Sequence, residues 1–165
     1  MLFRSEDWVV GAMQVRSDSG EVVLITDDGQ LLRFDITAVR ASGRPAGGVA
    51  GIRLAEDALV IYGTVVADPA HAVVATVAGD YGALPGTAAH SIKVTPLADF
   101  PGKGRATGGV RCHRLLAGEN ALITAAAGHA PIHACGNSGA AVEVPGTLGK
   151  RDGSGIALKI GRAHV

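Results

Sequence analysis

Cysteine is nearly absent from this chain: Cys112 and Cys135 are the only two, and neither sits in a CxxC pair. That excludes a disulfide framework and leaves both thiols as small hydrophobes. Aromatic residues are scarce at 4%, so any core must be built from Val, Ala, Leu and Ile. No apolar run reaches the roughly 18 residues of a membrane-spanning helix, and "MLFRSEDWVV" lacks the long apolar centre of a signal peptide. The expected setting is a reducing cytoplasm, with no membrane partner. No segment keeps a long 3.6-residue apolar period, which argues against amphipathic helices.

What the chain does contain is short β-branched runs and many turns. Hydrophobic residues make up 47% of its 165 residues, and glycine accounts for 24. The runs are 8–15, 21–26, 31–35, 48–54, 58–66, 72–77, 91–95, 109–116, 121–127, 131–135, 140–144 and 155–160. Nearly all are bounded by Gly, Asp, Pro or Asn, which is strand punctuation. "LITDDGQLLRF" reads as a hairpin in which Gly29 supplies the positive φ of the turn. The expectation is an all-β chain of about twelve strands.

The strands recur in units. "EDWVVGAMQV" at 6, "EDALVIYGTVV" at 56 and "ENALITAAAG" at 119 each place acidic or amide residues before an apolar strand. The units run about 6–55, 56–118 and 119–165, and the second is lengthened by "AGDYGALPGTAAH". Four strands per unit at this spacing is the mark of propeller blades.

One phrase is written twice. "GRPAGGVAGIRL" (43–54) and "GRATGGVRCHRL" (104–115) share seven of twelve positions, and "GKRDGSGIAL" (149–158) is a looser echo. Charge is divided between the halves. Residues 1–82 carry six Lys/Arg and eleven Asp/Glu, and residues 83–165 carry nine and four, so a net charge of zero hides −5 followed by +5. Such asymmetry suits a polyanionic partner for the basic half, although two solvated faces of unequal composition would look the same.

The order of acidic residue, apolar strand, turn glycine, basic strand and G-R-x-x-G-G-V-x-x-x-R-L resembles the C-terminal region of the A subunit of bacterial type IIA topoisomerases, DNA gyrase and topoisomerase IV. "DFPGKGRATGGVRCHRLL" (99–116) carries the likeness best, and the tail "KRDGSGIAL" is similar to the end of actinobacterial-type A subunits. The resemblance implies a single domain, 1–165, folded as a β-pinwheel of about three four-stranded blades, partial or open. It implies non-specific binding and bending of duplex DNA, which guides DNA for ATP-dependent strand passage. The implied partners are duplex DNA, the ATPase-bearing B subunit and the remainder of the A subunit, in the bacterial cytoplasm with the nucleoid. Cofactors and metals are not expected.

By position, the resemblance assigns the box glycines to Gly43, Gly47, Gly48, Gly104, Gly108 and Gly109. It assigns DNA contacts to Arg44, Arg53, Lys93, Lys103, Arg105, Arg111, Arg114, Lys150 and Arg151, with Arg33 beside them. The chain departs from the family where Pro45, Ala46, Ala106 and Thr107 replace the glutamine and basic residues of the gyrase box, which argues against strong wrapping. It also has fewer than the family's five or six blades, as a C-terminal portion or a shortened relative would. Physically, glycine lets a backbone turn sharply and approach another surface, and arginine forks two donors onto phosphate. The plain alternative is that these are blade-to-blade turns and solvated cations, in a propeller-like protein-interaction or structural module without DNA binding.

Three other patterns point elsewhere. His90, Asp99 and Ser138 fall in protease order, but His and Ser are 48 residues apart and Asn137 precedes the serine, a spacing that argues against a triad. Cys112, His113, His129, His133 and Cys135 suggest zinc, yet neither cysteine has a partner at two to four residues. Tyr62 and Tyr81 lack the arginine-preceded, helix-borne setting of a topoisomerase nucleophile, so no catalytic residue is expected.

Overall fold

The computed structural model describes residues 8–16, 18–84, 86–136 and 138–158. Glu6 and Asp7 of the first repeat, Asn137, and Lys159 and Ile160 of the last apolar run lie outside the described residues. Within them the regular structure is all β apart from two 3-10 turns, Ile36–Ala38 and Leu97–Asp99.

The first sheet is built around a hairpin. Strands β1 (Glu21–Thr26) and β2 (Gln30–Asp35) pair antiparallel, with Val23 opposite Arg33 and Ile25 opposite Leu31. Gly29 turns the chain at φ +79, and the Thr26 hydroxyl accepts the Gln30 N–H at 3.1 Å. Strand β3 (Val60–Val66) joins β1 on one side. One short strand, β6 (Val110–Arg111), closes the first sheet against β2, giving the order β3-β1-β2-β6.

The second sheet repeats this plan. Strands β4 (Ala72–Gly79) and β5 (Ala89–Pro96) form its hairpin, β7 (Ala121–His129) lies beside β4, and β10 (Ile156–Ala157) closes on β5. A two-stranded sheet, β8 (Ala134–Cys135) with β9 (Ala141–Val142), lies between β7 and β10 in the chain. The long turn between β4 and β5 is tied down by Asn120, whose side chain accepts the Tyr81 N–H (3.0 Å) and donates to Asp80 (2.6 Å).

The main core lies between the two four-stranded sheets. Val23, Ile25, Leu31 and Val66 from the first meet Ala72, Val74, Ala78 and Leu122 from the second, with Leu97, Phe100 and Cys112 filling the space. Each such fully buried large side chain contributes about 1.5–3 kcal/mol. The other face of the second sheet, Val73, Ala75 and Val94, is covered by Ile132 and Val144. Strand β4 is therefore buried on both faces, which is why its sequence runs apolar without alternation.

Two expected strands take another form. Residues 8–15 form no strand; they cross the face of the first sheet over Val22, Leu24, Val60 and Gly63. Residues 48–54 also stay out of any sheet, because Gly48 at φ +78 breaks the extended backbone where pairing would start. Runs 109–116, 131–135, 140–144 and 155–160 are cut to two-residue strands.

Candidate nucleic-acid interface

The two copies of the phrase touch each other. Call Gly-Arg-x-x-Gly-Gly the head and the residues through Arg-Leu the tail. The tail of the first phrase docks on the head of the second: Ala106 N–H donates to Gly51 O (2.6 Å), Arg53 N–H to Thr107 O (3.0 Å), and the Arg105 guanidinium to Ala50 O (2.7 Å). The tail of the second docks on the echo in the same way, with Arg114 N–H donating to Gly153 O (3.0 Å) and Gly155 N–H to the His113 ring (3.0 Å). The second copy thereby links the first sheet to the second, and the first copy docks on the second. Ala106 adopts φ +62 to make its bond. Its counterpart Pro45 has no N–H to offer.

The second head and the echo, unlike the first head, also fit closely over a sheet. A Cβ on Gly109 would come within 2.9 Å of Leu31 O and of the Gln30 side chain, so only glycine lets β6 reach β2. Gly155 is in the same position over Ser91, where a Cβ would come within 2.7 Å of the hydroxyl. Gly47 and Gly48 have open space, and Gly43, Gly104 and Gly108 meet nothing closer than 3.7 Å.

The basic residues follow this line of junctions. Arg44, Arg53, Lys103, Arg111, Arg114 and Lys150 are exposed; Arg105 and Arg151 are half-buried. Lys103 donates to Gly108 O (2.6 Å) and Arg105 to Ala50 O, and both retain further donors. Among the described residues the ion pairs are Arg33–Glu21 and His71–Asp68. The junction cations therefore face solvent without a carboxylate partner, whereas Arg33 is taken up by Glu21 at 3.2 Å.

Lys93 is the exception to the expected set. It is 3% exposed, and its ammonium donates to the carbonyls of Lys150 (3.0 Å), Arg151 (2.7 Å) and Gly153 (2.9 Å). A phosphate cannot reach it. Alternation in "SIKVT" suggests a wet face bearing Ser91, Lys93 and Thr95, but the 149–155 loop closes over Ser91 and Lys93. Burial pulls the Lys93 ammonium down to about 8, which leaves it charged at neutral pH. His113 is a residue whose role the sequence did not disclose. Its Nδ1–H donates to the Thr76 hydroxyl (2.8 Å), because Nε2 is occupied as an acceptor from Gly155. Burial pulls this imidazole down to about 4 and pushes the neighbouring Cys112 thiol up to about 12. The repeat held one signal: His113 stands where the first phrase has the apolar Ile52.

A family described as the DNA gyrase C-terminal domain, beta-propeller, matches residues 20–67 and 91–125, about half of the chain and including all of both phrases. The chain belongs to the DNA gyrase C-terminal domain family. Its relatives include the topoisomerase subunit TopoM of Mycolicibacterium smegmatis, 36% identical over 104 residues, and the DNA gyrase A subunit of Dehalogenimonas lykanthroporepellens, 35% identical over 110. These alignments cover 63% and 67% of the chain but only 13% and 12% of those proteins. The fold is similar to the crystal structure of the C-terminal domain of DNA topoisomerase IV, with a TM-score of 0.66 and 20% identity over 84% of this chain and 42% of that one. It is also similar to the Escherichia coli ParC C-terminal domain, at 0.58 and 17% over 93% and 60%.

In this gyrase-type domain the other candidate motifs have structural partners. Tyr62 and Tyr81 donate their phenol O–H groups to Ala127 O (3.3 Å) and Leu122 O (3.1 Å). His113 is committed to Thr76 and Gly155, and among the described residues no three His, Cys, Asp or Glu side chains converge as a metal site would require. No helix of the described residues is long and apolar enough to cross a membrane.

Proposed function

We propose that this domain binds duplex DNA without sequence preference and bends it, as the DNA-guiding module of a type IIA topoisomerase. It would act in the bacterial cytoplasm, joined to the remainder of an A-type chain and working with an ATPase-bearing partner. One observation carries the reading: Arg44, Arg53, Lys103, Arg105, Arg114, Lys150 and Arg151 lie along the two phrases and their echo without carboxylate partners among the described residues. Arg111 on β6 adds to this line. Cations spaced along such a rim neutralise phosphates and release counterions without reading bases.

The test is fluorescence anisotropy with a mixed-sequence duplex at rising salt, with end-to-end energy transfer on the same duplex to read bending. Binding should fall in the non-specific range of about 10⁻⁴–10⁻⁶ M at physiological salt, weaken steeply as salt rises and ignore sequence. Binding that is absent at low salt, or independent of salt, refutes it. A second reading rests on another observation. Trp8 (63% exposed), Val9 (66%) and Met13 (44%) lie over the outer face of the first sheet, an apolar surface of the kind that joins proteins. Retention of a protein partner by the domain after Trp8→Ser would count against that reading.

A further inference from the structure

The echo loop, residues 149–155, sits on its sheet as the second head sits on the first. Gly149 N–H donates to Val94 O (2.7 Å) as Lys103 N–H does to Arg33 O (3.0 Å), and Ile156 pairs with Ile92 as Val110 does with Leu31. This correspondence puts Lys93 where the first sheet has Leu32. Both are buried, at 3% and 0% exposure. A leucine there adds to the core. A lysine there loses its hydration, and is tolerated only if every donor finds an acceptor.

Lys93 meets that condition entirely through the loop above it. Its three N–H groups meet three loop carbonyls, those of Lys150, Arg151 and Gly153. Its stem lies under Gly149, where a Cβ would come within 2.9 Å of Lys93 Cγ. In a trans peptide the next residue's N–H points opposite to the carbonyl. Carbonyls drawn inward at Lys150, Arg151 and Gly153 therefore turn the N–H groups of Arg151, Asp152 and Ser154 outward. Successive outward N–H groups in a tight loop form a concave seat for an anion. The second head has no such support from below, since Leu32 cannot donate. It is tied instead across its surface by Lys103 to Gly108 O.

We propose that Lys93 is a buried peg, a positioning residue that holds the 149–153 loop with its N–H groups outward, so that the loop and the side chains of Lys150 and Arg151 together seat a DNA phosphate. The proposal rests on the DNA-binding reading above. Lys93 contributes no phosphate contact of its own.

Lys93→Met and Lys93→Ala separate the possibilities. Amide hydrogen exchange is followed by NMR at Gly149, Gly153 and Gly155 in the loop, and at Val23 and Leu24 in the first sheet. The loop amides should exchange about tenfold faster in both variants while the first-sheet amides keep their rates, the pattern of local opening. Propylammonium, which replaces the stem and ammonium missing from Lys93→Ala, should restore slow exchange. Tetramethylammonium, which has no N–H, should not. Duplex affinity should fall in both variants as far as in Lys150→Ala/Arg151→Ala, and recover with propylammonium in Lys93→Ala at matched ionic strength. Unchanged loop exchange, or equal acceleration in both sheets, overturns the peg. A loosened loop with parental DNA affinity overturns its positioning role. If the unsubstituted protein fails to bind duplex at low salt, the DNA reading has failed, and the exchange data then judge the peg separately.

Discussion

Replacing Gly109 by alanine isolates the close approach that joins the second phrase to the first sheet. The added Cβ would lie 2.9 Å from Leu31 O, 3.0 Å from Leu31 C and 2.9 Å from Gln30 Cβ. Two of those atoms are backbone in the middle of a paired strand, so β6 must move away from β2. Overpacking of this kind costs typically 1–3 kcal/mol, and loss of the β6 pairing puts the expected value at the upper end, about 2–3 kcal/mol. For a domain of this size that corresponds to a fall in melting temperature of about 4–12 °C. Gly47→Ala is the matched control. It lies in the first phrase, with nothing within 4 Å of its Cβ and no positive φ. That change should be neutral or stabilise by up to about 1 kcal/mol, through the unfolded state. Differential scanning calorimetry of the two variants beside the parent decides the matter. Equal melting temperatures for Gly109→Ala and Gly47→Ala would refute the claim that the second head is seated on the sheet and the first is not.

Two further outcomes follow from the buried polar groups. His113 is pulled from 6.5 to about 4 on folding, so the unfolded chain takes up this proton first as pH falls. Its contribution is complete above 6.5, declines below that and is lost by about 4, an effect of up to about 3 kcal/mol. Urea unfolding of the parent and of His113→Asn across this window should show the steeper acid loss in the parent; parallel curves would contradict the assignment. Asn120→Ala removes the two side-chain bonds from Asn120 to the β4–β5 turn and should lower stability by about 1–2 kcal/mol. Chemical denaturation would check this, together with faster proteolysis within residues 80–88.

The hairpins are legible in the sequence because their cues are local. Asp27-Asp28-Gly29 between β-branched runs announces β1 and β2, and Gly29 does take the positive φ the turn requires. The short closing strands are harder to read, since Val110–Arg111 and Ile156–Ala157 depend on contacts with strands about 65–80 residues away. Residues 8–15 look like a strand by composition, but composition does not say whether a segment lies beside a sheet or across it. The repeated phrase is visible at once; its head-to-tail docking is not, because most of the bonds that make it run between backbones, with only the Arg105 guanidinium and the His113 ring taking part as side chains. Lys93 misleads for a physical reason. Alternation marks two faces of a strand, and a loop from about 60 residues further along the chain then closes over the polar one. Exposed candidates such as Arg44, Arg53 and Arg114 need no such context, since an arginine in a glycine-rich turn seldom buries its charge.

The central claim is that the junction cations bind phosphates, and the slope of duplex affinity against salt measures it most directly. The variant Lys103→Ala/Arg105→Ala/Arg114→Ala removes three cations from two successive junctions. Each lost phosphate contact should reduce the log–log salt slope by about one unit and weaken all sequences alike. The account predicts a slope shallower by about three for this variant, with bending reduced in parallel. A slope equal to that of the parent, measured where both remain folded, would mean that the glycine–arginine phrases only join one sheet to the next.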